Sequence, residues 1–262
     1  MATHASLPNF SPIETAAIKE FLRSCTVPLV CEVGDKLALM GTGTFFRLEG
    51  HLWLVTAAHV IPDEQNLREL AVPMRTAGQF LTLGNCILYR PNNPNLDVAM
   101  VLVQDTAFEQ LVPQNWRVLV ESNISRFDPA GSTYMIAGYP RETLSKKEMN
   151  WLDSFTRIYT NPYPGGADDA DHSMFRLTYS RSATDHSGKI SRTPSLEGMS
   201  GASVWSVTDR PGELWTADNV LKVVAVQVSF KHSDYIAAEW WTLVREVLRR
   251  WADEKAVPVQ SG

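Results

Sequence analysis

The chain has 262 residues, a formal net charge of −5, and 44% hydrophobic against 20% charged residues, the balance of an ordinary globular protein and not of a disordered or fibrous one. That acidic balance gives no electrostatic reason to invoke nucleic acid or an anionic membrane as partner, and no segment approaches the roughly 18 uninterrupted apolar residues of a membrane span. Met1 to Pro12 lacks the basic start and apolar core of a secretory signal, and three cysteines are too few for a disulfide scaffold, so a cytoplasmic protein with free thiols is expected.

In chain order, Ser11-Pro-Ile-Glu14 predicts a helix running to about Arg23, with Ser11 as N-cap and Pro12 at the first helical position. From Val27 the period changes. Val27–Val33, Leu37–Leu48 and His51–Thr56 are rich in aliphatic, aromatic and β-branched residues and are separated by glycines, which predicts three strands. Gln79–Tyr89 and Val98–Val103 predict two more, with the turn-rich Pro91-Asn-Asn-Pro-Asn95 between them. The polar stretch from Glu121 to Gly131 is the expected connection between two lobes. Thr133–Tyr139, Phe155–Tyr159, Met174–Tyr179, Ala202–Val207 and Lys222–Phe230 predict the strands of the second lobe. From Tyr235 to Trp251 the apolar residues recur at helical spacing, which predicts a closing amphipathic helix. The expected organisation is a helical extension over 1–26, a first β lobe over 27–120, a second over 121–232, and a C-terminal helix and tail over 233–262.

Three short motifs carry the chemistry. Leu54-Val-Thr-Ala-Ala-His59-Val60 sets a histidine at the end of an apolar strand, Asn95-Leu-Asp97 supplies an isolated acid, and Gly198-Met-Ser200-Gly-Ala202 sets a serine between glycines. A serine hydroxyl is a weak nucleophile at neutral pH. It needs an imidazole to take its proton and a carboxylate to fix the tautomer of that imidazole and stabilise its cation. Gly198 and Ser200 can offer their backbone amides to a developing oxyanion.

With Gly41-Thr-Gly-Thr-Phe-Phe46 and Ala137-Gly-Tyr-Pro140, these motifs resemble the chymotrypsin-like serine peptidases in order and in separation: 38 residues from His59 to Asp97 and 103 from Asp97 to Ser200. The resemblance implies an all-β fold of two six-stranded antiparallel barrels with the active site between them, flanked by N- and C-terminal helices. It implies a serine endopeptidase with His59 as general base, Asp97 as orienting acid, Ser200 as nucleophile, and Gly198 with Ser200 as oxyanion donors. No cofactor or metal is implied. The implied partner is a peptide or protein substrate, with room for a regulatory protein. Secreted digestive relatives carry an aspartate just before the serine to receive a new amino terminus. Here Met199 stands there, so the pattern is closer to bacterial and intracellular-type peptidases that need no processing.

Counting back from Ser200 puts the floor of the specificity pocket near Pro194 or Ser195, with one wall from Gln227 through Val228 and Ser229 to Phe230. No acid lies at that floor, which favours a small or apolar side chain over Arg or Lys. Rival readings exist for each piece. His59 alone is compatible with a structural histidine and Asp97 alone with a loop cap; the alternative to an enzyme is a catalytically silent homologue that binds peptides or a partner protein, against which the presence of all three motif residues argues. An α/β-hydrolase is disfavoured because its acid and histidine follow its serine. Asp168, Asp169, Asp171 and His172 lack the spacing of an EF-hand and read as a solvated loop. Arg245, Arg249 and Arg250 read as a solvated helix face, and Trp240, Trp241 and Trp251 as packing anchors.

Overall fold

Ser11 opens the first helix as expected: its hydroxyl accepts the Glu14 amide while the Glu14 carboxylate accepts the Ser11 amide, a capping box that satisfies two otherwise orphaned donors. The computed structural model describes residues 10–33, 36–61, 63–75, 79–125, 133–143, 154–164, 174–184, 190–207 and 214–256. Helix α1 (Pro12–Cys25) runs straight into β1 (Thr26–Val33), followed by β2 (Lys36–Leu48) and β3 (His51–Thr56). Then come α2 (Glu64–Glu69), β4 (Ala71–Pro73), β5 (Phe80–Thr82), β6 (Cys86–Tyr89), β7 (Ala99–Val103), α3 (Thr106–Asn115) and β8 (Leu119–Val120). These strands form one sheet in the order β5-β4-β1-β2-β3-β7-β6, with β8 alongside β2 in parallel.

The second lobe holds β9 (Thr133–Gly138), β10 (Thr156–Thr160), β11 (Met174–Thr178), β12 (Ser182–Thr184), β13 (Ile190–Arg192) and β14 (Ser203–Val207). After these come α4 (Ala217–Val220), β15 (Leu221–Lys231), β16 (Tyr235–Trp240) and α5 (Trp241–Ala256). Its main sheet runs β10-β9-β14-β15-β16-β11, with β12 and β13 paired apart. Apart from β8, both main sheets are antiparallel, and both are curled, consistent with a chymotrypsin-like architecture. Register shifts at Leu29/Val30, Val204/Trp205 and Gln227/Ser229 mark bulges, which add the local bend that a curling sheet needs.

Three expectations require correction. Tyr235–Trp240 is strand, not the first turns of the closing helix. Ile236, Ala237 and Ala238 are fully buried and the segment pairs with both β15 and β11, so ladder bonds on two sides outweigh its helical spacing. Gln79–Tyr89 is two strands broken at a turn through Gly84, not one. Thr106–Asn115, which carried no element in the sequence reading, is helical, with Asp105 capping the amide of Phe108 and with Phe108 and Val112 turned to the core. The middle of the interlobe connection, 126–132, and the acidic loop with Asp168, Asp169, Asp171 and His172 lie outside the described residues.

One core cluster crosses the lobe boundary. Phe46, Trp53 and Met100 of the first sheet join Met135, Trp205 and Val223 of the second, with Phe21 and Leu22 of α1 and Trp241 and Trp251 of α5 closing it. Aromatic contacts stitch it together: Phe21 meets Trp205 at 5.7 Å, Phe46 meets Trp241 at 4.5 Å, and Trp53 meets Trp251 at 5.3 Å. The C-terminal tryptophans are thus packing anchors, Trp240 included, since its ring stacks on Phe175. Polar ties add to this. Tyr139 Oη donates to the Thr26 carbonyl at 3.1 Å, Arg141 Nη2 to the Leu39 carbonyl at 3.0 Å, and the Thr44 and Ser203 hydroxyls lie 2.9 Å apart. The two lobes are therefore fixed against each other at the seam where the three motifs meet.

Candidate active site

β3 ends at Thr56, and a single 3-10 turn, Ala58–Val60, carries His59 out of the sheet. Asp97 precedes β7, the hydrogen-bonded neighbour of β3, so the ladder between Thr56 and Ala99 brings the acid beside the turn. Its carboxylate makes two bonds to one residue. Oδ1 accepts the His59 backbone amide at 2.9 Å and Oδ2 lies 2.6 Å from Nδ1. The Asp97 carbonyl also accepts the Ala58 amide at 3.1 Å. An ionised carboxylate only accepts, so Nδ1 carries the proton and Nε2 is left as the basic nitrogen. The His59 side chain is 50% exposed and that of Asp97 30%, which leaves Nε2 open to a substrate while the acid sits behind. The hydrogen bond to Asp97 raises the imidazole pKa above its ordinary value, partial burial opposes this, and the negative charge of Asp97 adds to the rise.

Ser200 reaches the same place through glycine. Gly201 adopts φ +89°, and a Cβ there would lie 2.0 Å from Thr56 Oγ1, 2.1 Å from the Thr42 carbonyl and 2.8 Å from the Ala57 amide. Only a residue without a side chain allows this approach. The Ser200 carbonyl accepts the Thr42 amide at 2.8 Å, and a Cβ on Gly41 would touch both that carbonyl and the methyls of Val60. The serine backbone thus lies one layer from the residues flanking His59. Among the described residues, no hydrogen bond joins the Ser200 hydroxyl to the imidazole.

The loop before Ser200 orients its amides by pinning the carbonyls on the other side of each peptide. The Glu197 carbonyl accepts the Arg141 amide at 2.7 Å, and the Met199 carbonyl accepts the Ala202 amide at 2.9 Å. A trans peptide points its N–H opposite to its C=O, so the Gly198 and Ser200 amides are aimed away from those donors. Neither amide has a protein acceptor among the described residues, while the amide between them, that of Met199, is bonded to Leu196. Gly198 holds φ +90°, where a Cβ would lie 2.6 Å from Leu39 Cδ2 and 2.8 Å from the Tyr139 carbonyl, and its own carbonyl accepts the Thr42 hydroxyl at 2.9 Å. Met199 is fully buried in the second-lobe core, where its Cγ and Cε atoms lie against Gly138.

The segments expected to form the pocket converge on a residue that the sequence reading did not single out. Tyr179 donates to the Pro194 carbonyl at 2.6 Å, and its ring meets Phe230 at 5.9 Å, so Pro194 and Ser195 and the far end of β15 flank one phenol. Gln227 is fully buried. Its Nε2 donates to the Ser229 carbonyl at 3.2 Å, and its Oε1 has no protein partner among the described residues. Val228 faces the other way, into the first-lobe cluster with Ala57 and Val60. Arg141, Thr42 and Thr56 were likewise missed. All three act through backbone atoms distant in sequence.

The cysteines are free, and burial pushes the thiols of Cys25 and Cys86 up to about 12, so neither offers a rival thiolate at neutral pH. Among the described residues no group of three or more His, Cys, Asp or Glu side chains could hold a metal ion, and no helix is long and apolar enough to cross a membrane. No family model matches the chain, and no curated protein is significantly similar to it.

Proposed function

We propose that this chain is a serine endopeptidase that cleaves peptide bonds through an acyl-enzyme on Ser200. The observation that carries the reading is the two-point grip of Asp97 on His59, which leaves Nε2 as a base beside a serine whose loop directs two unsatisfied amides outward. In the first step Ser200 Oγ bonds to the substrate carbonyl carbon as its proton passes to His59 Nε2. The carbonyl oxygen becomes an oxyanion that accepts hydrogen bonds from the Gly198 and Ser200 amides. Collapse breaks the C–N bond, and the proton on Nε2 leaves with the amine. Water then repeats the sequence, giving a proton to Nε2 and its oxygen to the acyl carbon; the C–Oγ bond breaks, Oγ takes the proton back from Nε2, and the acid product leaves with Ser200 regenerated. Asp97 keeps its charge throughout and stabilises the imidazolium.

Met199 supports activity without proteolytic processing, because apolar packing anchors the loop where secreted relatives use an ion pair. The free thiols suit a reducing, cytoplasmic setting. A second reading, a silent homologue that binds peptides in the same cleft, is favoured by one observation: the hydroxyl and the imidazole are not hydrogen-bonded. Such contacts often tighten only when substrate binds.

A fluorophosphonate probe separates the two, since it requires an activated serine and little else. The folded wild type should label, and Ser200→Ala and His59→Ala should not. Folded wild type that stays unlabelled beside a reactive control peptidase would favour the binding module.

A further inference from the structure

The acid–base pair is braced from outside the cleft by the C-terminal helix. Ile61 closes the 3-10 turn of His59, its amide bonded to the Ala58 carbonyl at 3.1 Å. Its own carbonyl accepts Arg90 Nη2. Arg90 begins the loop that ends at Asp97, and that loop is folded on itself: Asn93 accepts the Asn95 amide through its side chain and the Leu96 amide through its carbonyl. Turn and loop are thus joined at two places, by Arg90 to Ile61 and by Asp97 to His59, and form a closed hydrogen-bond circuit. Arg250, on α5, grips this circuit from behind by donating to the Arg90 carbonyl and to Asn92 Oδ1.

The helix that carries Arg250 is itself rigidly seated, because Trp241, Val244, Val247 and Trp251 are buried in the cluster that spans both lobes. Between helix and loop lies a cavity of about 230 Å³, lined in part by Pro91, Asn92 and Arg250, so apolar packing does little to hold the loop there. The charged groups around it are Glu246, Arg249 and Asp253 on its wall and Glu254, 3.9 Å from Arg250 Nε. None of them substitutes for the two acceptors that Arg250 holds. Its planar fork reaches a side-chain oxygen and a backbone carbonyl at once, a geometry that an ammonium group cannot reproduce.

We propose that Arg90 and Arg250 are positioning residues for the His59–Asp97 pair, with α5 as the strut that holds the Asp97 loop against the histidine turn. The inference rests on the acyl-transfer reading only for its kinetic consequence. Its geometric content is readable in the imidazole itself. Solution NMR of the imidazole protons, with the His59 signal assigned by its loss in His59→Ala, gives the titration midpoint in wild type and in Arg250→Ala.

With the strut removed, the contact with Asp97 loosens and the His59 midpoint should move down toward an ordinary histidine. By the same misplacement kcat/KM should fall about tenfold, and Arg250→Lys should recover part of both. A His59 midpoint identical to wild type in folded Arg250→Ala would overturn the proposal, even if its melting temperature had dropped. Should Arg250→Ala not fold, Asn92→Ala removes one of the same contacts and is judged by the same criterion. If wild type fails to label with the fluorophosphonate yet the midpoint moves, the peptidase reading falls and the strut stands. If it labels and the midpoint does not move, the reverse holds.

Discussion

The two halves of the site are built from different forces. In the first lobe a half-exposed imidazole and its acid are held by side-chain hydrogen bonds on a short turn, with Arg90 and Arg250 behind them. In the second lobe the serine loop is held by backbone bonds, by two glycines at positive φ, and by a buried methionine. The first half is therefore sensitive to charge and pH, and the second to side-chain volume. On the proposed acyl-transfer reading the site has to move protons and also present fixed dipoles, and it gains from this separation, because titration of one half leaves the geometry of the other undisturbed.

Asp97→Asn should give the largest effect that keeps the nucleophile and the base. It removes the acceptor that fixes Nδ1–H, and loss of the correct tautomer costs on the order of 10⁴ in kcat. The comparison also fixes the sign of the pH effects. Asp97 raises the His59 pKa in the folded protein, so the folded state binds that proton more tightly than the unfolded chain. The stability so gained is fully present below an unfolded histidine pKa of about 6.5 and is lost as pH rises through the higher folded value. Thermal melts should therefore show a larger gap between wild type and Asp97→Asn at about pH 5.5 than at about pH 8.5. An equal gap at both would mean that the pair contributes nothing through protonation.

Gly198→Ala should come next and should act on the other half alone. The added methyl meets Leu39 and the Tyr139 carbonyl, so the peptide must rotate and its amide loses its aim. Loss of one oxyanion donor costs about 10²–10³ in kcat, and the positive φ adds on the order of 1–3 kcal/mol of destabilisation. The His59 titration midpoint should be unchanged. A midpoint that moved with Gly198→Ala would show that the halves are not separate.

Much of this is legible in the amino-acid sequence, for reasons that differ by element. Strands β1, β2, β3 and β7 alternate or run apolar between glycines and turns, and their motifs are local, so His59, Asp97 and Ser200 could be read from short segments. Tyr235–Trp240 could not. Ile236, Trp240, Trp241 and Val244 fall at helical spacing, and only pairing with neighbouring strands makes the first two of these strand residues. The directions of the Gly198 and Ser200 amides were equally hidden, since they depend on where the Glu197 and Met199 carbonyls find donors, one of them Arg141 in another segment. Arg250 read as a solvated helix position because its acceptors lie 158 and 160 residues away.

Thr42 is where the two halves touch, and it gives the smallest and most discriminating change. Its amide holds the Ser200 carbonyl, its hydroxyl holds the Gly198 carbonyl, and its own carbonyl accepts the Thr56 hydroxyl three residues before His59. Thr42→Val keeps shape and backbone but deletes the hydroxyl, leaving the buried Gly198 carbonyl without that donor. A net loss of about 1 kcal/mol in stability is expected, because one neutral bond is removed and one acceptor stays desolvated. That carbonyl belongs to the peptide preceding Met199, not to either peptide whose amide is proposed to meet the oxyanion. kcat should therefore fall only several-fold, well short of the loss for Gly198→Ala. If Thr42→Val instead matched Gly198→Ala in kcat, the oxyanion loop would owe its geometry to this one cross-lobe bond more than to the pinned carbonyls of Glu197 and Met199. The seam, and not the second lobe, would then be what shapes it.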